Sequence, residues 1–273
     1  MSTTTPTSRL NEEQLAVYHR EGFLIYPAPI FPAAKFERLK AHFEEKLAQL
    51  LPGARPEAMD VPHFANPALF EWLFADEVLD LVEPILGPDI ALFSSHFIAK
   101  PKGDGRRVPW HEDSAYWRDM IHPMEVVTVW LAIDPSTDEN GCMRVIPRTH
   151  SEGQMGFSKY EKVDSAKNVF EAEIIKRQRD ESRAVSCILQ PNHASLHDGR
   201  IIHGSNANTS NIRRCGYTMR YISSSTVLAE KHREFHQIYL ARGRDLSGQP
   251  YADPMHSAQD LIDKRAKYGK KGH

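Results

Sequence analysis

The chain has 273 residues, with 34 Lys and Arg against 36 Asp and Glu and a formal charge of −2. That balance gives no reason to expect nucleic acid or an anionic membrane as a partner, and no apolar run of about 18 residues is present to span a bilayer. Cys142, Cys187 and Cys215 are too few and too widely spaced for a disulfide framework or a zinc ribbon. They point to a cytoplasmic protein whose thiols are small buried hydrophobes.

Met1 to Pro6 lacks the basic-then-apolar order of a signal peptide. Asn11, followed by Glu12, Glu13 and Gln14, caps a first helix that Gly22 ends, and Phe23 to Tyr26 reads as a short strand. Ala33 to Leu51 is an amphipathic helix, with Phe36, Leu39, Phe43, Leu47 and Leu50 on one face. Pro67 to Phe74 starts another helical stretch, and Asp76 caps a continuation carrying Val78, Leu81, Val82 and Ile85 until Gly87-Pro88 stops it.

From about residue 89 the texture changes to short runs suited to strands, separated by Gly, Pro, Asn and Asp. These are Ile90 to Ala99, Val126 to Ile133, Cys142 to Ile146, Ala184 to Leu189, Ala194 to His197 and Cys215 to Ser223. Between them Gly156 to Arg183 is polar, with Tyr160 to Arg179 partly helical in pattern; an insertion of that length is usually functional or mobile. The Lys264-Arg265-Ala266-Lys267 and Lys270-Lys271 run reads as a solvated helix end. The expected architecture is therefore mainly β with packed helices. One domain over 1–273 comprises a helical N-terminal layer (about 11–88), a sandwich or barrel core (about 89–225, insertion 156–183) and a C-terminal helical tail (226–273).

The residues that carry chemistry are Trp110-His111-Glu112-Asp113, then His203-Gly204-Ser205, then Arg214. On an extended strand His111 and Asp113 leave the same face. A second His from a distant strand would complete two imidazoles and one carboxylate around a metal, with the remaining positions open. His203 is the best candidate: it follows an apolar strand approach, Arg200-Ile201-Ile202, and Arg214 starts the next strand. Among the other 13 histidines, His197-Asp198 is a decoy, since adjacent strand residues face opposite sides, and His150 closes a loop. Arg214 offers a bidentate cation to a carboxylate-bearing co-substrate. A catalytic zinc would use a similar ligand set, although HExxH and HxxEH patterns are absent and Glu112 points away from the ligand face.

These residues resemble the phytanoyl-CoA dioxygenase family of Fe(II)/2-oxoglutarate oxygenases. The resemblance runs in order over about residues 11 to 223. It takes in Lys100-Pro101 with Gly103, Trp110 to Asp113, Val129 to Ile133 with Glu139-Asn140-Gly141, Val145 to His150, and His203, Ser205, Asn208, Ser210 and Arg214. It implies a double-stranded β-helix, the jelly-roll core shared with cupins. It also implies that His111, Asp113 and His203 bind Fe(II), and that Arg214 and Ser205 hold the distal carboxylate of 2-oxoglutarate. Lys100 and Trp130 would line the co-substrate site, and O2 would be the second co-substrate. Arg148 departs from the glycine common at its position, and retention of Asp113 argues against relatives in which a small residue there vacates a site for halide.

The resulting expectation is hydroxylation of a small polar metabolite or natural-product intermediate, with release of succinate and CO2. Phe93, His96, Tyr116, Trp117 and Arg148 are the expected substrate contacts, and no basic groove for an acyl-CoA is evident. A non-catalytic cupin-like binding protein and a metal-dependent hydrolase or isomerase are the rival readings. The sequence sets no oligomeric state.

Overall fold

A computed structural model describes residues 9–268; the Ser/Thr-rich start and Lys270-Lys271 lie outside the described residues. Helix α1 (Glu12–Glu21) opens on a capping box, the Asn11 side chain accepting from the Gln14 amide and Gln14 reaching back to the Asn11 amide. Gly22 ends it at φ 80 and leads into β1 (Phe23–Ile25). Helix α2 (Ala33–Ala48) stops short of the predicted Leu51. After β2 (Met59–Asp60) come two single turns, α3 (Pro62–Ala65) and α4 (Phe70–Leu73), then α5 (Asp76–Leu86). The cap of α5 is Ala75, so Asp76 lies inside the first turn, where its charge still faces the positive helix end.

The strands that follow are β3 (Ile90–Lys100), β4 (Val108–His111), β5 (Ile121–His122), β6 (Val126–Ala132), β7 (Met143–Val145), β8 (Tyr160–Lys162), β9 (Ala172–Ile174) and β10 (Val185–Ser186). They continue with β11 (Ala194–Asp198), β12 (His203–Ser205), β13 (Arg214–Ser223), β14 (Val227–Leu228) and β15 (Tyr239–Arg242). Short helices α6 (Ser114–Trp117) and α7 (Thr149–Glu152) and the terminal α8 (Gln259–Tyr268) complete the described chain. Of the predicted strands, 184–189 shrinks to the two residues of β10. The pattern read as partly helical within 160–179 is instead an antiparallel hairpin, β8–β9, followed by two 3-10 turns.

Two antiparallel sheets build the jelly-roll core. The larger has the order β1-β11-β6-β13-β3-β15, with β2 also on β3, and the smaller β10-β7-β12-β4. Alternation along β6 and β13 gives the large sheet two distinct faces. Val127, Val129, Leu131, Cys215, Tyr217, Met219 and Tyr221 enter the main apolar cluster, where α1, α2 and α5 pack with Tyr18, Phe36, Leu39, Phe43, Val78 and Leu81. The alternate residues face the smaller sheet: Trp130 and Ala132 cluster there with Met143 and Val145. The helical layer thus supports one side of the large sheet and leaves the other free to line a cavity.

Candidate metal centre

His111 ends β4 and His203 starts β12, and the two are direct cross-strand partners, with ring centroids 4.2 Å apart. Asp113 does not join them by strand alternation: β4 stops at His111, and Asp113 has helical angles (φ −57, ψ −39) at the entry to α6. That turn brings Asp113 Oδ1 to 3.6 Å from His111 Nε2, and ligand atoms of all three residues fall within 4.8 Å of one another. The approach to His203 is also not a strand but a tight turn between β11 and β12, residues 199–201.

The donor set fits a divalent ion. His111 Nδ1 lies 2.8 Å from the Pro109 carbonyl and His203 Nδ1 3.1 Å from that of Ile201, so each imidazole donates from Nδ1 and keeps the Nε2 lone pair for a metal. Burial holds the His203 imidazole well below its ordinary pKa, with His111 adding to the effect, which keeps it in the neutral, ligating form. Burial, the largest single influence, opposes charge on Asp113, but Arg220 together with the His111 and His203 imidazoles outweighs it and holds the carboxyl well below the usual carboxylate range.

A cavity of about 220 Å³ opens on the triad between the two sheets. Arg214, 2% exposed, lines it. Arg214 Nε donates to the Gly141 carbonyl (3.1 Å), its Nη2 to Ser205 Oγ (3.4 Å), and its guanidinium lies 5.3 Å from the Trp130 ring. No salt bridge to Arg214 occurs among the described residues. Burial pulls its pKa down to about 10, so it stays a cation at neutral pH. Asn140 clamps the turn that presents Gly141, accepting from the Thr137 amide and donating to the Pro135 carbonyl. Asn208 fastens the loop after β12, donating to the carbonyls of Pro101 and Ile212.

Ser205, Trp130 and His96 line the same cavity, as the sequence suggests. Lys100 does not: it is the cross-strand partner of Arg214, fully buried, with its ammonium on the Asn206 carbonyl. Burial, and then Arg214, hold its pKa well below the lysine range. Phe93 packs away from the cavity against Trp117 and His236. Trp117 stands over Arg220 (5.2 Å), and Tyr116 is half exposed beside Phe170. Arg148 does not line the cavity: it pairs with Glu21 at the surface and adopts φ 69, the left-handed conformation a glycine would take without strain.

Glu112 points away from the triad, as expected, and is buried with Oε1 on the Ser158 hydroxyl. Burial raises its pKa. The insertion supplies two lining residues absent from the sequence reading, Val169 and Phe170, the latter edge-on to His111 (4.9 Å). Arg220 and His197 were missed as well, although both obey a simple rule. Arg220 lies six residues after Arg214, and alternation along β13 puts it on the same face. The same alternation sends His197 into the cavity while Asp198 turns outward to Arg200. Arg265, read as solvated, binds Asp60 and the Phe235 carbonyl.

Comparison with known proteins gives a consistent result. The profile of the phytanoyl-CoA dioxygenase (PhyH) family matches residues 18–216. A phytanoyl-CoA dioxygenase domain-containing protein 1 homolog from Dictyostelium discoideum is 28% identical over 160 residues, covering 59% of this chain and 56% of its own length. The chain thus spans about half the length of that curated relative. Among solved structures, the non-heme monooxygenase ThoJ in its apo form superimposes with a TM-score of 0.73 at 22% identity, covering 94% of this chain and 95% of its own. CytC3 with Fe(II) and alpha-ketoglutarate does so with a TM-score of 0.65 at 22% identity, covering 89% and 92%. These structural likenesses show the fold.

Proposed function

The chain belongs to the phytanoyl-CoA dioxygenase family, and from that premise we propose that it is an Fe(II)- and 2-oxoglutarate-dependent dioxygenase. It would oxidise, by hydroxylation, a C–H bond of a small polar metabolite and release succinate and CO2. One observation carries this reading: a buried His-Asp-His set shares its cavity with a buried arginine that has no carboxylate partner among the described residues. Bound iron and 2-oxoglutarate would supply the electrons that activate O2 for attack on a C–H bond, chemistry that no side chain has. The family fold holds such a pair in the CytC3 complex.

The side chains do the rest. His111, Asp113 and His203 would hold the metal from one side and leave the other for co-substrate and O2. Arg214 and Ser205 would bind the distal carboxylate of 2-oxoglutarate, and the Trp130 indole fixes the guanidinium that receives it. Val169 and Phe170 cover the triad and limit water. A cavity of about 220 Å³ supports a small molecule beside the co-substrate over a long acyl thioester.

Anaerobic titration of the purified protein with Fe(II) and 2-oxoglutarate tests the reading through the visible metal-to-ligand charge-transfer band. The band is expected in the wild type and absent in His203→Ala. In Arg214→Ala it should need roughly ten- to a hundredfold more 2-oxoglutarate, the loss of one charge-assisted contact of about 1.5–3 kcal/mol. Iron that binds without any band on adding 2-oxoglutarate would favour a hydrolase or a binding protein instead.

A further inference from the structure

Resting on the oxygenase reading, we propose that the primary substrate is a small oxyanion, a carboxylate or phosphonate, whose acidic group is held by Arg220. Arg214 and Arg220 carry the two buried guanidinium groups that line the cavity, and their backbone positions lie six residues, roughly 20 Å, apart along one face of β13. Only the first is taken by the co-substrate.

Arg220 is placed for a ligand. Its Nη1 donates to Thr218 Oγ1 (3.2 Å) and lies 3.4 Å from His96 Nδ1, neither of which is a carboxylate. Among the described residues its carboxylate partner is Asp113, through one long contact from Nε to Oδ2 at 3.3 Å. Once Asp113 serves a divalent ion, its single negative charge faces the two positive charges of the ion as well as the one on Arg220. The guanidinium, 7% exposed, then has no counter-charge of its own, a costly state in a buried site that an anionic ligand would relieve. Its position beside a metal ligand would set the atoms next to the acidic group over the metal. Trp117 covers the guanidinium from the outer side.

A cation or a hydrocarbon fits the same cavity poorly. The other lining carboxylates are committed, Glu57 to Arg55 and Asp60 to Arg265 and His96. Beside Arg220 the floor is polar and unsatisfied. His197, Thr128 and Arg220 form one row across β11, β6 and β13, and neither nitrogen of the buried His197 nor the Thr128 hydroxyl has a protein partner. A ligand that accepts and donates hydrogen bonds next to a charge answers that row; an alkyl chain would leave it unpaired.

Calorimetric titration of the anaerobic protein, loaded with Fe(II) and 2-oxoglutarate, with propionate, methylphosphonate and propionamide tests the proposal. Propionate or methylphosphonate should bind at least about tenfold more tightly than propionamide, and the tighter of the two identifies the acid. With Fe(II) and 2-oxoglutarate raised until the charge-transfer band is saturated, the preference should vanish in Arg220→Gln, and Arg220→Lys should restore part of it. Equal binding of propionamide, no binding of either anion, or a preference that survives Arg220→Gln would overturn it. The wild-type comparison decides even where a variant fails to fold. Absence of the band in the wild type would remove the oxygenase reading itself, a separate failure.

Discussion

Gly216 stands at an inward position of β13, and the space its side chain would fill holds the six-membered ring of Trp130. The indole in turn lies over the Arg214 guanidinium. A methyl group at 216 must displace it, so Gly216→Ala is expected to cost about 1–3 kcal/mol of stability and to weaken 2-oxoglutarate binding. Denaturant unfolding and the charge-transfer titration check both effects, and an unchanged titration would show that Trp130 does not position Arg214. Neighbouring residues show which signals a sequence carries. His111, His203 and Arg214 were legible because their residue types and order are specific to the chemistry. Arg220 was legible in principle through the two-residue period, since it shares a face with Arg214. Lys100 shares that face too, yet its ammonium ends on the Asn206 carbonyl rather than in the cavity, a matter of side-chain direction that no spacing encodes.

At the scale of elements, the insertion 156–183 is where sequence reasoning failed most clearly. Its polar pattern suggested partial helix over 160–179, whereas the segment forms hairpin β8–β9, which packs beside β4. Glu173, buried on β9, anchors it by accepting from Arg107, Arg179 and the Trp110 amide. The partners come from two stretches, Arg107 with Trp110 around β4 and Arg179 beyond β9, so local periodicity could not announce them. Glu173→Gln leaves two arginines short of a counter-charge. It should destabilise the insertion by on the order of 3 kcal/mol, less to the extent that Arg107 keeps contact with water. Limited proteolysis is expected to cut the 156–183 segment several times faster in the variant while the rest of the chain resists; equal rates would mean the anchor lies elsewhere. Because Phe170 covers the triad from this segment, 2-oxoglutarate turnover without substrate should rise as the cover loosens.

At the scale of the whole molecule, stability depends on histidines that fold in their neutral form. His63 is fully buried among Phe64, Phe70 and Tyr239, with Nδ1 2.8 Å from Ser95 Oγ. Burial, with a smaller push from His236, lowers its pKa from 6.5 to about 3. The unfolded chain takes up this proton below about pH 6.5 and the folded chain does not. The contribution is therefore complete above that pH and drains away, by up to about 1.4 kcal/mol per pH unit, as pH falls toward 3. His63→Gln should be less stable at neutral pH through lost packing, yet lose stability less steeply between pH 6.5 and 5. Urea unfolding across that range measures the slopes, and coincident slopes would mean that His63 is protonated in the native state.

What the sequence by itself determined was whatever rests on residue type and short-range order: the capped first helix, the alternating strands of the core, the candidate metal triad, the arginine proposed for a carboxylate and the family these imply. Only the tertiary structure decided what rests on contacts between distant segments. It made His111 and His203 cross-strand partners, turned Asp113 into the site through a helical turn, left Arg148 at the surface with Glu21, folded the insertion over the triad and brought Arg220 beside Asp113. The division follows from range: propensity and period act over a few residues, whereas a binding cavity is set by which side chains two facing sheets happen to present to each other.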